Sequence, residues 1–178
     1  MGNLNPNLRI AIQTIYERAD AAVIKAGPRC EASGRCCRFT EYGHTLFLSQ
    51  IEADYLLESA PPFTEVNSAT CPFQVQGLCT AREPRPLGCR VYFCDPNYQE
   101  EGQRISEQGI RELKVLADEQ GLPWRYAPLH IFLREHLEQA NQHTLEEHLE
   151  QAKEHADSAT QNSLAPEKPH KISLPLTS

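Results

Sequence analysis

Seven cysteines (Cys30, Cys36, Cys37, Cys71, Cys79, Cys89 and Cys94) are the residues of this chain whose type and spacing could do chemistry. All of them fall within one 65-residue window of a 178-residue sequence. Thiolates hold soft and borderline metal ions, attack electrophiles or pair as disulfides. These come in three pieces: "CEASGRCC" at 30–37, the pair Cys71 and Cys79 in "CPFQVQGLC", and Cys89 with Cys94 in "CTAREPRPLGCRVYFCDP". A tetrahedral ion cannot be wrapped by one extended stretch, so a thiolate site needs ligands from separate converging pieces, and this chain supplies three.

The first twenty residues carry no basic n-region and no continuous apolar core ahead of a small-residue cleavage site, so a cytoplasmic protein is expected. In a reducing compartment an odd number of cysteines argues against a disulfide framework and for metal binding. The arginines agree. Six of the twelve (Arg29, Arg35, Arg38, Arg82, Arg85 and Arg90) stand near cysteines, and no lysine occurs between Lys25 and Lys114. Guanidinium groups offset the negative charge of metal-bound thiolates and do not deprotonate. Arg85 and Arg90, which flank Cys89, are the candidates for cofactor contact.

Spacing narrows the metal only by exclusion. Zinc-ribbon Cys-x-x-Cys pairs and the ferredoxin spacings are missing. An iron–sulfur cluster is slightly preferred over zinc, because arginine-rich irregular loops suit a cluster. Seven thiols exceed one four-ligand site, so either some are spare or two metals share sulfurs. Catalysis by a reactive thiol remains an alternative, with His44 the one histidine inside the cysteine window. A zinc-stabilised helical interaction module is another.

The flanking sequence must position these loops. Asn5, Pro6 and the face Leu8, Ile12, Ile15, Ala19 and Val23 predict a helix that Gly27-Pro28 stops. "YGHTLFLS" reads as a strand or extended segment. Ser49 with Glu52 makes a capping box that opens the helix "QIEADYLLESA", ended by Pro61-Pro62. "CPFQVQGLC" predicts a tight hairpin turning at Gln76-Gly77. Prolines and Gly88 predict irregular backbone around Cys89. Helical spacing resumes from Gln103 to Gln120, with Gly109 a weak point and Gly121 the stop, and another helix starts at Pro128. "GLPWRYAPLH" between them holds the sole tryptophan and reads as a plug for the core.

The fold class expected is therefore mainly α with a small β-hairpin, its helices around a cysteine-rich metal-binding loop region. Residues 1–157 form a single cysteine-cluster domain with a metal-binding core at 28–98, and 158–178 a disordered tail. Net charge is -7, of which -6 lies between Glu135 and Asp157, where "EHLEQA" occurs twice on a polar helix. That balance argues against a nucleic-acid partner, and no apolar run approaches the length of a membrane span.

"CEASGRCC", "CPFQVQGLC" and "RPLGCR" followed by Cys94 together resemble the YkgJ-type cysteine-cluster proteins, described as a zinc- or iron-chelating domain. The resemblance covers about Cys30 to Pro96. It implies metal chelation, with iron–sulfur binding or an oxidoreductase role, and an Arg-Pro step matching Arg85-Pro86. Ser33 stands where that family's first block has its second cysteine. The function expected is chelation of an iron–sulfur cluster or zinc by thiolates of three chain segments.

Overall fold

The computed structural model describes residues 4–163, with side chains described through residue 153. The protein is mainly helical with small antiparallel sheets. It divides into two units, Met1–Leu137 and Glu138–Ser178. No helix among the described residues is long and apolar enough to cross a membrane.

In the first unit, α1 (Pro6–Ala26) starts with the Asn5 side chain accepting from the Asn7 N–H and Pro6 in the first turn. It ends at Gly27 in the left-handed conformation, where only glycine is free of a Cβ penalty. Its buried face is Leu8, Ile12, Ile15, Tyr16, Ala19 and Val23, as the spacing predicts. Against it packs α4 (Gln99–Glu119), with Ile105, Leu113 and Leu116 buried. Each such side chain contributes roughly 1.5–3 kcal/mol by leaving water.

The helix α4 begins at Gln99, earlier than the Gln103 expected, because Pro96–Tyr98 form a 3-10 turn that leads straight into it. Gly109 is a contact rather than a weak point. A Cβ there would stand 2.6 Å from Leu87 Cδ2, so its absence lets α4 approach α3 (Leu87–Val91). That five-residue helix corrects the expectation of irregular backbone around Cys89. Pro86 sits just ahead of it, where a missing N–H costs no helical bond.

The strand β1 (Phe47–Ser49) leads directly into α2 (Gln50–Ser59), and Ser49 and Glu52 form the expected capping box. The hairpin β2 (Gln74–Val75) and β3 (Leu78–Cys79) turns through Gln76 and Gly77, both at positive φ, as a tight two-residue turn needs. A second sheet went unforeseen: β1 pairs antiparallel with β4 (Tyr126–Pro128), inside the segment that holds Trp124. Trp124 is partly buried against the α1–α4 core and stacks on Tyr126.

Two apolar clusters result. One joins α1, α3 and α4; the other gathers Phe39, Leu48, Leu56 and Phe73 with Leu129, Phe132 and Leu133 of α5 (Leu129–Ser163), and it includes Cys37 and Cys71. The helix α2 serves both, Ile51 in the first and Ala53 and Leu56 in the second. In the second unit α5 runs on through Ser163, six residues into the segment expected to be a tail, and residues 164–178 lie outside those described. His143 and Glu147 pair there at 3.3 Å, while Leu145 and Leu149 are exposed.

Glu52, only 1% exposed, connects three elements through its carboxylate. Oε2 accepts from the Ser49 N–H and hydroxyl, both at 2.8 Å. Oε1 accepts from the Leu87 N–H at 2.8 Å and the Tyr16 hydroxyl at 3.2 Å. Burial raises the carboxyl above its ordinary 4.5, and the hydrogen bonds pull it back only in part.

A folded-state pKa above the unfolded one means the folded chain binds more protons between the two values. The associated stability is complete below about pH 4.5 and is lost as pH rises through the folded value. In urea unfolding at a series of pH values, wild type minus Glu52→Gln should therefore be largest in acid and shrink with rising pH. Glu52→Ala leaves several buried donors unpaired and should cost roughly 3 kcal/mol or more by the same measurement.

Candidate metal centre

Backbone hydrogen bonds draw the three cysteine pieces together. The Cys71 N–H donates to the Cys37 carbonyl at 2.9 Å, and Arg38 and Thr70 form a bridge beside it. Gly34, at φ 68, lies so close to the hairpin that a Cβ would stand 3.0 Å from the Gly77 carbonyl, and Gln74 Nε2 donates to the Gly34 carbonyl at 2.7 Å. The first piece is thus fastened to the second. The Arg29 N–H donates to Asp95 Oδ2 at 3.0 Å, which fastens the first piece to the third just beyond Cys94. Cys89 is held by α3, whose first N–H bonds Glu52.

Within this frame the sulfurs of Cys36 and Cys37 stand 3.9 Å apart. That is close to the edge of a tetrahedron of thiolates around zinc, about 3.8 Å for Zn–S bonds of about 2.3 Å. Cys71 and Cys79 also act on the Cys37 thiol, both raising it. Cys89 feels Cys37, Cys79 and Cys36. These influences link thiols of all three pieces through Cys37 and Cys89. Burial, then Cys94 and Cys36, raise the Tyr92 hydroxyl between them. Cys30 is exposed, and among the described residues no contact ties its sulfur to the others.

The electrostatics favour neutral thiols in the absence of a cation. The hydrogen bond with Cys37, followed by burial, pushes the Cys36 thiol far up. Cys36 draws Cys37 down, but Cys71 and burial outweigh it, leaving Cys37 pushed up to about 12. Burial and the neighbouring sulfurs push Cys89 far up as well, with Arg85 opposing. A metal ion among them would reverse these terms, since its charge favours thiolate over thiol.

The two candidate arginines part company. Arg85 lies near enough to Cys36 and Cys89 to lower both, and its Nε is buried with no hydrogen-bond partner. Such an orphaned donor fits an anionic sulfur site. Arg90 is committed elsewhere: it pairs with Asp20 at 2.6 Å, donates to the Arg85 and Glu83 carbonyls, and lies over the Tyr16 ring at 4.4 Å. It braces the loop against α1.

As the side chains stand, no group of three or more His, Cys, Asp or Glu among the described residues is set as metal ligands. Cysteine and histidine side chains are the donor types that a thiophilic metal takes. No family model, curated protein or solved structure matches this chain.

Tyr92 and Glu52 carry no sign of such a place in the sequence, because one stacks on His44 and the other bonds a distant backbone N–H. Replacing Cys79 or Cys89 with serine should lower metal content and thermal stability together, since binding and folding are coupled at such sites. Cys30→Ser should leave both unchanged. Metal analysis and thermal unfolding of the three variants check this.

Proposed function

We propose that this protein chelates a thiophilic metal, as zinc or an iron–sulfur cluster, through Cys36, Cys37, Cys71, Cys79 and Cys89. What supports the reading is the Cys36–Cys37 pair at 3.9 Å, the electrostatic influence that Cys37 and Cys89 receive from sulfurs of other segments, and the unpartnered Arg85 Nε that acts on Cys36 and Cys89. The bland alternative, cysteines serving as small buried hydrophobes, accounts for one or two sulfurs but not for a cluster with a buried cation donor beside it. The resemblance to the YkgJ-type proteins supports the same reading through the residues that carry it. When bound, the metal supplies a positive charge that holds the thiolates ionised and, in a cluster, a site for one electron.

The residues around the site have separate tasks in this reading. Cys37 is central, with partners in its own segment and in the hairpin. Cys89 brings the third segment, and Arg85 balances negative charge. Because the thiols are held protonated, binding must release protons, and affinity must rise with pH.

Purification without oxygen, followed by visible absorption and metal analysis, tests the reading. The expected result is stoichiometric metal: visible thiolate-to-iron bands with iron and sulfide for a cluster, or a colourless protein with zinc. Metal addition to the apoprotein in weak buffer should also acidify the solution. A protein that neither carries metal nor takes it up under these conditions overturns the proposal.

A further inference from the structure

The thiols are not the only donors at this place. His44 Nε2 lies 3.3 Å from the Cys36 carbonyl oxygen. A carbonyl can only accept, so Nε2 carries the proton and Nδ1 of the neutral ring keeps its lone pair. Nδ1 is buried and has no hydrogen-bond partner. A buried acceptor left unpaired is costly, and calls for an explanation.

The ring is held in place from several sides. It stacks on Tyr92 with centroids 4.8 Å apart and meets the edge of Phe39 at 5.5 Å. Its backbone N–H donates to the Phe39 carbonyl at 3.1 Å. His44, Cys36 and Cys89 line one cavity of about 660 Å³, whose walls include no lysine or arginine that could donate to Nδ1. Histidines that bind metals characteristically give their other ring N–H to a carbonyl or carboxylate, which sets the tautomer and aims the ring. His44 has that arrangement, with the carbonyl supplied by a thiol-bearing residue.

We infer that His44 is a nitrogen ligand of the metal centre, binding through Nδ1 beside the thiolates of Cys36 and Cys89. The inference rests on the thiolate-site reading above and adds a mixed nitrogen and sulfur donor set to it. Such a set carries one negative charge fewer than an all-cysteine one, which eases burial of the site.

X-ray absorption on the anaerobically purified holoprotein, at the edge of whichever metal it holds, tests this directly. The expected spectrum contains imidazole multiple scattering together with sulfur; for zinc the shells fall at about 2.0–2.1 Å and about 2.3 Å. His44→Ala should lose the imidazole signature and hold metal at least about tenfold more weakly against a chelator. His44→Cys, included in case the alanine variant misfolds, should keep metal and show sulfur in place of nitrogen. An all-sulfur shell in the wild type, or imidazole persisting in His44→Ala, overturns the inference and leaves the thiolate reading intact. A chain that takes up no metal overturns both.

Discussion

The Glu52 carboxylate is the constraint on which the rest of the molecule depends. Four donors converge on it, from the start of α2, from α1 and from the first N–H of α3. Desolvating a carboxylate is costly, and the cost is met only where several donors replace water. That condition explains why three elements far apart in sequence meet at this point. It also fixes α3, and α3 carries Cys89. The scaffold that orders the apolar core therefore sets the position of a candidate ligand.

Around the thiols the physics runs the other way. Burial and crowding keep Cys36, Cys37 and Cys89 protonated, although chelation needs them ionised. Arg85 opposes this with one charge, too little to outweigh enclosure and several neighbouring sulfurs. In the proposed reading a bound cation would favour the thiolate forms and offset the repulsion among them. Arginine serves such a site better than lysine because it cannot lose its proton. Arg90 adds a bracing role: its guanidinium ties the Cys89 loop to Asp20 and Tyr16.

Local signals were legible where they act over a few residues. Asn5, Pro6 and Gly27 bound α1, Ser49 and Glu52 open α2, and Gln76-Gly77 turns the hairpin, each through bonds within one helical turn or one loop. Failures occurred where a partner is distant. The pairing of β1 with β4 links residues about eighty positions apart, and neither three-residue strand has a pattern long enough to declare itself. The helix around Cys89 was hidden by prolines that lie before it rather than within it. Gly109 was taken for a weakness because its partner, Leu87, belongs to another element.

By itself the sequence determined the chemistry on offer: seven thiols in three groups, arginine in place of lysine around them, and helices with readable ends. Composition and short-range spacing are properties of the chain, and they survive any fold. Only the tertiary structure decided which members of that inventory act together. The Cys71 N–H bonds the Cys37 carbonyl, Cys36 and Cys37 bring their sulfurs to 3.9 Å, Arg85 acts on Cys36 and Cys89, Arg90 pairs with Asp20, and His44 lies against the Cys36 carbonyl. These outcomes follow from long-range hydrogen bonds and from packing at Gly34 and Gly109, which no local pattern encodes, because the energy of each depends on atoms that meet only after the chain has folded.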